Sequence, residues 1–219
     1  MNSVLYHLRW LMIGVGIFSY GLSVAGCSRE TAQPDAFAAD AVTSLAEGEE
    51  SVELLGLPEL KAAELGDKPL SVVATTSIIG DVVAQVGGDA IALTTLLGPG
   101  QDPHSYVPAA RDLTAVAGAN VIFVNGWDLE EGLASDLESI ADGAPIVPIS
   151  ANIKPLPFGD GEHDHQIDPH VWFDVHNARQ WVINVEQILS ALDPANSSIY
   201  KSNAAAYQVE LEELEEYAA

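Results

Sequence analysis

Basic residues and cysteine are scarce in this 219-residue chain. Eight Lys and Arg side chains accompany 32 Asp and Glu side chains, which gives a formal net charge of −24. Phosphate binding requires clustered cations, so this balance argues against a nucleic-acid partner. The single cysteine excludes an intrachain disulfide and a cysteine-based zinc site. Any transition-metal site must therefore be built from histidine and carboxylate side chains.

The first 26 residues have the pattern of a secretory signal. Residues 10–26 are uncharged and largely apolar, and Arg9 supplies a positive flank. A transmembrane anchor is the alternative, although a comfortable membrane span takes about 20 apolar residues. The sequence Val-Ala-Gly-Cys that ends at Cys27 resembles a bacterial lipobox. This resemblance implies cleavage before Cys27, lipidation of Cys27 and a lipid anchor on the outer face of the membrane.

Residues 27–68 are acidic and lack a sustained apolar period. Between Ser28 and Lys68 the chain carries ten acidic side chains and three basic ones. Such a composition is typical of a flexible, self-repelling spacer, in which a short helix over 54–65 is the one structured alternative. We therefore expect residues 27–68 to form an acidic tether that does not pack against the domain.

The body of the protein, residues 69–193, alternates β-branched runs with helical periods. The pattern predicts strands at 70–75, 91–97, 121–124 and 145–149, and helices at 78–86, 109–117, 129–140 and 177–192. This alternation is typical of an α/β fold with a four-stranded parallel sheet. The third strand is apolar throughout, as expected for a sheet with helices on both faces. The remaining long loop, 150–169, is of a length that is usually functional or disordered.

A long C-terminal helix is predicted over residues 194–219. Asp193 is expected to be its N-cap, with Pro194 at the first helical position. The period continues to the last residue without a C-cap glycine, so we expect this helix to belong to a longer protein. The far part of the apolar stripe should then be exposed. The stripe comprises Tyr200, Ala204, Tyr207, Leu211 and Leu214.

The tripeptide Asp-Pro-His occurs twice, at 102–104 and at 168–170. Each copy follows a predicted strand, and ligands of open α/β sheets bind outside the carboxyl ends of the strands. We therefore expect His104 and His170 to converge at one edge of the sheet and to bind one divalent metal ion. Each preceding aspartate is expected to accept the second ring N–H of its histidine. Zinc takes four ligands, or three and water, so two histidines make an incomplete site.

Other polar and aromatic residues near the second tripeptide suggest weaker hypotheses. His163 and His165 alternate with acids and are expected to give auxiliary, loose capture of metal ions, with a solvated polar turn as the alternative. His176 is expected to be a surface or capping residue. Trp172 and Phe173 are expected to pack against the sheet beneath His170.

Residues 98–108 (GPGQDPHSYVP) and 168–174 (DPHVWFD) resemble the zinc/manganese-type substrate-binding lipoproteins of bacterial metal ABC importers. Residues 120–133 and 203–211 extend the likeness. It implies a bilobed protein with the metal ion between the lobes, in which His104 and His170 are the ligands of the first lobe. Residues 69–193 would be that lobe, and 194–219 would begin the helix that joins the lobes. The remaining ligands would come from a second lobe.

The resemblance implies an extracytoplasmic protein that captures Zn²⁺, or alternatively Mn²⁺, and delivers it to an ABC permease in the membrane. The alternative function is a surface adhesion or interaction lipoprotein on the same scaffold, with a structural metal ion. We find no nucleophile-elbow, zinc-protease, P-loop or dinucleotide motif, so we do not expect an enzyme. The choice between zinc and manganese depends on ligands that are not evident in the sequence.

Overall fold

The computed structural model describes residues 54–157 and 167–218, apart from the side chains of residues 134 and 135. The predictions about the secretory signal, Cys27, His163 and His165 lie outside these residues. Among the helices of the described ranges, none is long and apolar enough to cross a membrane.

A four-stranded parallel sheet forms the centre of the described part of the chain, as predicted. Its strands are β1 (Leu70–Ala74), β2 (Ile91–Thr95), β3 (Val121–Val124) and β4 (Ile146–Pro148). Their order in the sheet is β2-β1-β3-β4. The chain therefore moves from β1 to one side of the sheet and then returns to build the other side. This reversal places a crevice at the carboxyl ends of β1 and β3.

Five α-helices accompany the sheet in the described residues. They are α1 (Ser77–Gly87), α2 (Ala110–Ala117), α3 (Glu131–Ile140), α4 (Val175–Leu192) and α5 (Ser197–Ala218). Thr76 accepts a hydrogen bond from Ile79 N–H at the start of α1, and Gly88 follows its end at φ 52°. All five predicted helices are present, with ends shifted by a few residues.

Both faces of the sheet are buried, which explains why β1 and β3 have no polar side. Val72 and Phe123 face a core cluster that includes Trp181 of α4. Their chain neighbours Val73 and Ile122 face the opposite way, into a second cluster built on α2 and α3. Successive side chains of a strand point to opposite faces, so a strand covered on both faces is apolar on both sides, and the one polar residue of β1, Ser71, is only partly buried.

The last helix begins differently from the prediction. Asp193 does occupy an N-cap position followed by Pro194, but these residues begin a 3₁₀ turn at Pro194–Asn196 that precedes α5, and Asp193 makes no side-chain capping bond. The Asp193 carboxylate instead accepts hydrogen bonds from the Tyr200 hydroxyl at 2.8 Å and from Asn196 Nδ2 at 2.7 Å. Burial and the neighbouring carboxylate raise the pKa of Tyr200. The expected N-cap is therefore a buried anchor for the second turn of the helix.

The far part of the α5 stripe is only partly exposed. Leu214 is 49% exposed, as predicted, but Leu211 is 7% exposed. Arg179 of α4 explains the difference, because it donates to Gln208 Oε1 and to Glu215 Oε2, each at 3.0 Å. These bonds keep α5 against α4 for most of its length, so the prediction of exposure is wrong for Leu211.

Residues 54–68 pack against the domain, and this corrects the prediction of an unpacked tether for that stretch. Asn152 N–H donates to Leu55 O, and Ala63 N–H donates to Leu192 O, each at 2.8 Å. The stretch contains no helix, so the alternative of a short helix over 54–65 is also wrong. Apolar side chains recur every few residues along this chain and contact the core, while the acids between them face water. The packed side chains are Leu57, Leu60, Ala63 and Leu65.

Asn184 of α4 provides a test of how the helix is fixed to the sheet. This buried side chain donates from Nδ2 to Ile149 O at 2.8 Å and to Ala151 O at 2.7 Å. Asn184→Ala leaves both carbonyls without this donor, so the free energy of unfolding should fall by about 1–3 kcal/mol. Urea unfolding followed by tryptophan fluorescence measures the change. Gln187→Ala, on the exposed side of α4, is the control, and an equal loss there would contradict the assignment.

Candidate metal centre

The two Asp-Pro-His loops meet at the carboxyl edge of the sheet. They follow β2 and β4, which are the outer strands. The ring centroids of His104 and His170 nevertheless lie 5.7 Å apart, with their planes tilted by 59°. The loops therefore bend inward, toward the crevice at the ends of β1 and β3. The predicted convergence of the two rings is confirmed.

Asp168 fixes the imidazole of His170. Its Oδ1 accepts the backbone N–H of His170 at 3.0 Å and lies 2.7 Å from ring Nδ1. The backbone N–H has the largest effect, and together with the ring it holds the pKa of Asp168 below its usual value despite some burial. In the neutral ring this contact places the proton on Nδ1 and leaves the Nε2 lone pair available to a metal ion. The predicted contact between Asp168 and the His170 ring is therefore confirmed.

The aromatic residues after His170 differ from the prediction in one respect. Trp172 lies with its ring edge-on to His170 at 5.2 Å and 6.1 Å from Trp181, which is fully buried. It thus links the histidine to the core. Phe173, however, is 82% exposed, because the short 3₁₀ turn Val171–Phe173 directs it away from the sheet. The expectation that Phe173 packs beneath His170 is wrong.

Asp102 organises the first loop in another way than predicted. Its Oδ1 accepts the backbone N–H of His104 at 3.0 Å, and its Oδ2 accepts the Ser105 hydroxyl at 2.7 Å. The Ser105 hydroxyl and then the His104 N–H lower the pKa of Asp102. Asp102 thus bonds to Ser105 and to the His104 backbone and makes no bond to the His104 ring, and that expectation is wrong. His104 is exposed, and its ring orientation is less constrained than that of His170.

Tyr106 ties the first loop to α2, a contact that the sequence analysis did not identify. Its hydroxyl donates to Asp112 Oδ2 at 2.7 Å, and the same oxygen accepts Ala109 N–H at 2.8 Å. Burial alone would raise the pKa of Asp112, but the bonds from Tyr106, Ala109 and Arg111 outweigh it and lower that pKa. Burial, followed by the Asp112 carboxylate, raises the pKa of Tyr106 to about 12.

A buried polar network lies at the ends of the two inner strands and was also missed. Glu130 Oε1 accepts the Thr75 hydroxyl at 2.6 Å and Asn125 N–H at 2.7 Å. Burial raises the pKa of Glu130, although these bonds oppose the shift. Asn125 Nδ2 in turn donates to Pro169 O at 2.9 Å. The available signal was a polar residue directly after each of two apolar strands, at Thr75 and at Asn125.

The centre offers two imidazoles and open space around them. His170 borders an open cleft of about 390 Å³ that also contacts Lys154 and Asn177. Within the described ranges, no three His, Cys, Asp or Glu side chains lie close enough to hold a metal ion together. His176 is exposed at the start of α4, where its N–H donates to Asp174, as expected of a surface residue.

The lowered pKa of Asp112 predicts an acid-dependent contribution to stability. The ionised carboxylate stabilises the fold above the unfolded-chain pKa of about 3.9, and this contribution is lost as the pH falls through the lower folded pKa. Tyr106→Phe removes one donor to that carboxylate and should cost about 1–3 kcal/mol near neutral pH, but less in strong acid. Urea unfolding at both pH values measures the difference. A loss that does not change with pH would contradict the assignment.

Comparison with known proteins places the chain in a family. Residues 72–219 match the family described as ZnuA, zinc-uptake complex component A periplasmic. The manganese-binding lipoprotein MntA of Halalkalibacterium halodurans is 38% identical over 68% of this chain and 48% of its own length. The metal ABC transporter substrate-binding lipoprotein SloC of Streptococcus mutans is 33% identical over 76% of this chain and 56% of its own.

A solved structure agrees with this match. The Mn-bound periplasmic metal binding protein of Candidatus Liberibacter asiaticus superposes with a TM-score of 0.61 and 32% identity, over 65% of this chain and 53% of that one. The chain spans about half the length of the curated relatives it matches. Fold, sequence match and paired histidines agree, and the chain belongs to the ZnuA family of periplasmic zinc-uptake components.

Proposed function

We propose that this chain captures a divalent metal ion for a bacterial ABC importer, as part of its extracytoplasmic substrate-binding component. The observation that carries the proposal is the 5.7 Å separation of the His104 and His170 rings at the carboxyl edge of the sheet. Two imidazole nitrogens can reach one zinc ion at about 2.0–2.1 Å each from such a pair after a small adjustment. The relatives named for metal binding and metal transport support this role over adhesion.

His104 and His170 are proposed as two ligands of the captured ion, with Asp168 orienting the second of them. Zn²⁺ is the proposed ion and Mn²⁺ the alternative. Imidazole suits zinc, whereas manganese prefers carboxylate, carbonyl and water ligands. The names of the family and of MntA point to different metals, so they support a divalent ion more firmly than either element.

The further ligands are proposed to lie outside the described residues. A second lobe, facing the 69–193 lobe across the metal ion, would supply them, as the family resemblance implies. Zinc sites in proteins take at least three protein ligands, so the two histidines need such a complement. His163 and His165 remain candidates for auxiliary capture on the way to this site.

The proposed location is the outer surface of the bacterial cell membrane. Lipidation of Cys27 would anchor the protein there, and the permease in the same membrane would receive the ion. The net charge of −24 favours attraction of cations and solubility outside the cell. This role requires reversible binding and no bond chemistry, so the proposed activity is not enzymatic.

Replacing either histidine should weaken metal binding. His104→Ala and His170→Ala each remove one nitrogen ligand, so we expect the affinity for Zn²⁺ to fall by at least about tenfold. Calorimetric titration of the 219-residue chain measures the affinities. His176→Ala is the matched control, because His176 is an exposed histidine with no part in the centre. If all three variants bound Zn²⁺ like the parent chain, the proposed function would be wrong.

The described pair of imidazoles should prefer Zn²⁺ to Mn²⁺, whichever ion the whole protein transports. Nitrogen ligands bind Mn²⁺ least and Zn²⁺ much more strongly along the divalent series. Titration of Zn²⁺ into the Mn²⁺-loaded 219-residue chain should therefore displace manganese. Retention of Mn²⁺ under these conditions would indicate that oxygen ligands outside the described residues dominate the site.

A further inference from the structure

We infer that the segment Asn125–Gly132, which runs from the end of β3 into the first turn of α3, is a platform that positions both histidines, and that Asn125 is a positioning residue for metal capture. The inference rests on the proposed function of the histidine pair. This segment contacts the loop of His170 through a hydrogen bond and the loop of His104 through backbone packing. A single short piece of chain thereby determines how far apart the two rings lie.

On the His170 side, one peptide unit is held at both ends. Asn125 Nδ2 donates to Pro169 O at 2.9 Å, and His170 N–H donates to Asp168 Oδ1 at 3.0 Å. That carbonyl and that N–H belong to the same peptide plane. The ring Nδ1 lies 2.7 Å from the same carboxylate oxygen. The imidazole therefore has little freedom once Asn125 has fixed the peptide.

Asn125 is itself fixed to the inner strands. Its side chain is fully buried, and its backbone N–H donates to Glu130 Oε1 at 2.7 Å. The same oxygen accepts the Thr75 hydroxyl at 2.6 Å, so the carboxylate bridges the ends of β1 and β3. Buried networks with satisfied donors are rigid, and this rigidity is transmitted to Pro169.

The amide oxygen of Asn125 indicates that the residue is not there for stability alone. Asn125 Oδ1 is buried and has no hydrogen-bond partner among the described residues. An unsatisfied buried acceptor is destabilising. Asn184, by comparison, donates to two carbonyls and also accepts from Gln180 Nε2 at 2.9 Å. The side chain of Asn125 is therefore placed so that its Nδ2 bonds to Pro169 O while its Oδ1 is left without a donor.

On the His104 side, Gly132 lets the loop backbone lie directly on α3. A Cβ atom at position 132 would lie 3.0 Å from Tyr106 O and 3.6 Å from His104 O. Glycine inside a helix is unfavourable by about 0.5–1 kcal/mol relative to alanine. The close approach of the His104 loop explains why this position nonetheless lacks a side chain.

The turn that joins these two contacts has a strained backbone. Trp127 and Asp128 have φ values of 55° and 56°, in the left-handed region that non-glycine residues rarely adopt. Consecutive strained residues persist only where the surrounding structure imposes them, and they cluster at functional sites. Here the strained turn directs Glu130 back under Asn125 and brings Gly132 against the other loop.

Asn125→Ala should weaken Zn²⁺ binding by about ten- to a hundredfold, as is usual when a residue that orients a metal ligand is lost. Asn184→Ala is the matched control. It removes two donor bonds from an equally buried asparagine on α4, but it does not touch Pro169. Calorimetric titration of the 219-residue chain well below its unfolding temperature compares them. Equal affinities for the two variants would overturn the inference.

A double substitution separates positioning from general loosening. In the His170→Ala background, Asn125→Ala should have no further effect on Zn²⁺ affinity, because the ring that it positions is gone. A full further loss would overturn the inference. If His170→Ala itself left the affinity unchanged, the proposed function would fail. If it weakened binding and Asn125→Ala did not, only the positioning role would fail.

Gly132→Ala tests the contact of the platform with the His104 loop. It also provides a test if Asn125→Ala does not fold. Alanine favours the helix, but its Cβ would lie 3.0 Å from Tyr106 O, so stability can change in either direction and a purely structural role predicts only that the affinity for Zn²⁺ is unchanged. The platform predicts that Zn²⁺ binding falls by about tenfold, because the new Cβ pushes the His104 loop away. Gly56→Ala is the control, since nothing lies within 4 Å of its added Cβ. Unchanged binding in Gly132→Ala would overturn the platform.

Discussion

The carboxyl edge of the sheet depends on one contact, the carboxylate oxygen of Glu130 that two strands share. This oxygen accepts one donor from the end of β1 and another from the end of β3, the two strands between which the topology reverses. Burial of a carboxyl group away from water is unfavourable unless hydrogen-bond donors offset the loss of hydration. The ends of β1 and β3 are therefore fixed relative to each other, independently of the two histidine loops.

The two histidine loops use this edge with unequal rigidity. The His170 loop is bonded to it through Asn125, and the His170 ring contacts Trp172 edge-on and is oriented by Asp168. The His104 loop rests on it by backbone contact and is tied sideways to α2 by Tyr106. One firmly held imidazole and one that adjusts would suit the proposed reversible capture of a metal ion.

The sequence predicted the parts of the fold that follow from periodicity. The fully apolar third strand indicated a sheet covered on both faces, and the repeated tripeptide indicated where two rings meet. Prediction from the sequence failed where contacts between particular side chains determine the structure. Ser105 competes for Asp102, and Arg179 holds Leu211 against α4. Asn125 and Gly132 were within a stretch noted only for family likeness, because neither carries metal-binding chemistry of its own.

The packed stretch 54–65 changes how tension would pass through the molecule. The chain crosses the domain here before it enters β1, and it is bonded at Leu55 to Asn152 and at Ala63 to Leu192. A pull from the N-terminal side would therefore act on these bonds and on the packed side chains around them before it acts on β1. The contacts of this stretch thus separate the sheet and its histidine loops from force applied to the chain before residue 54.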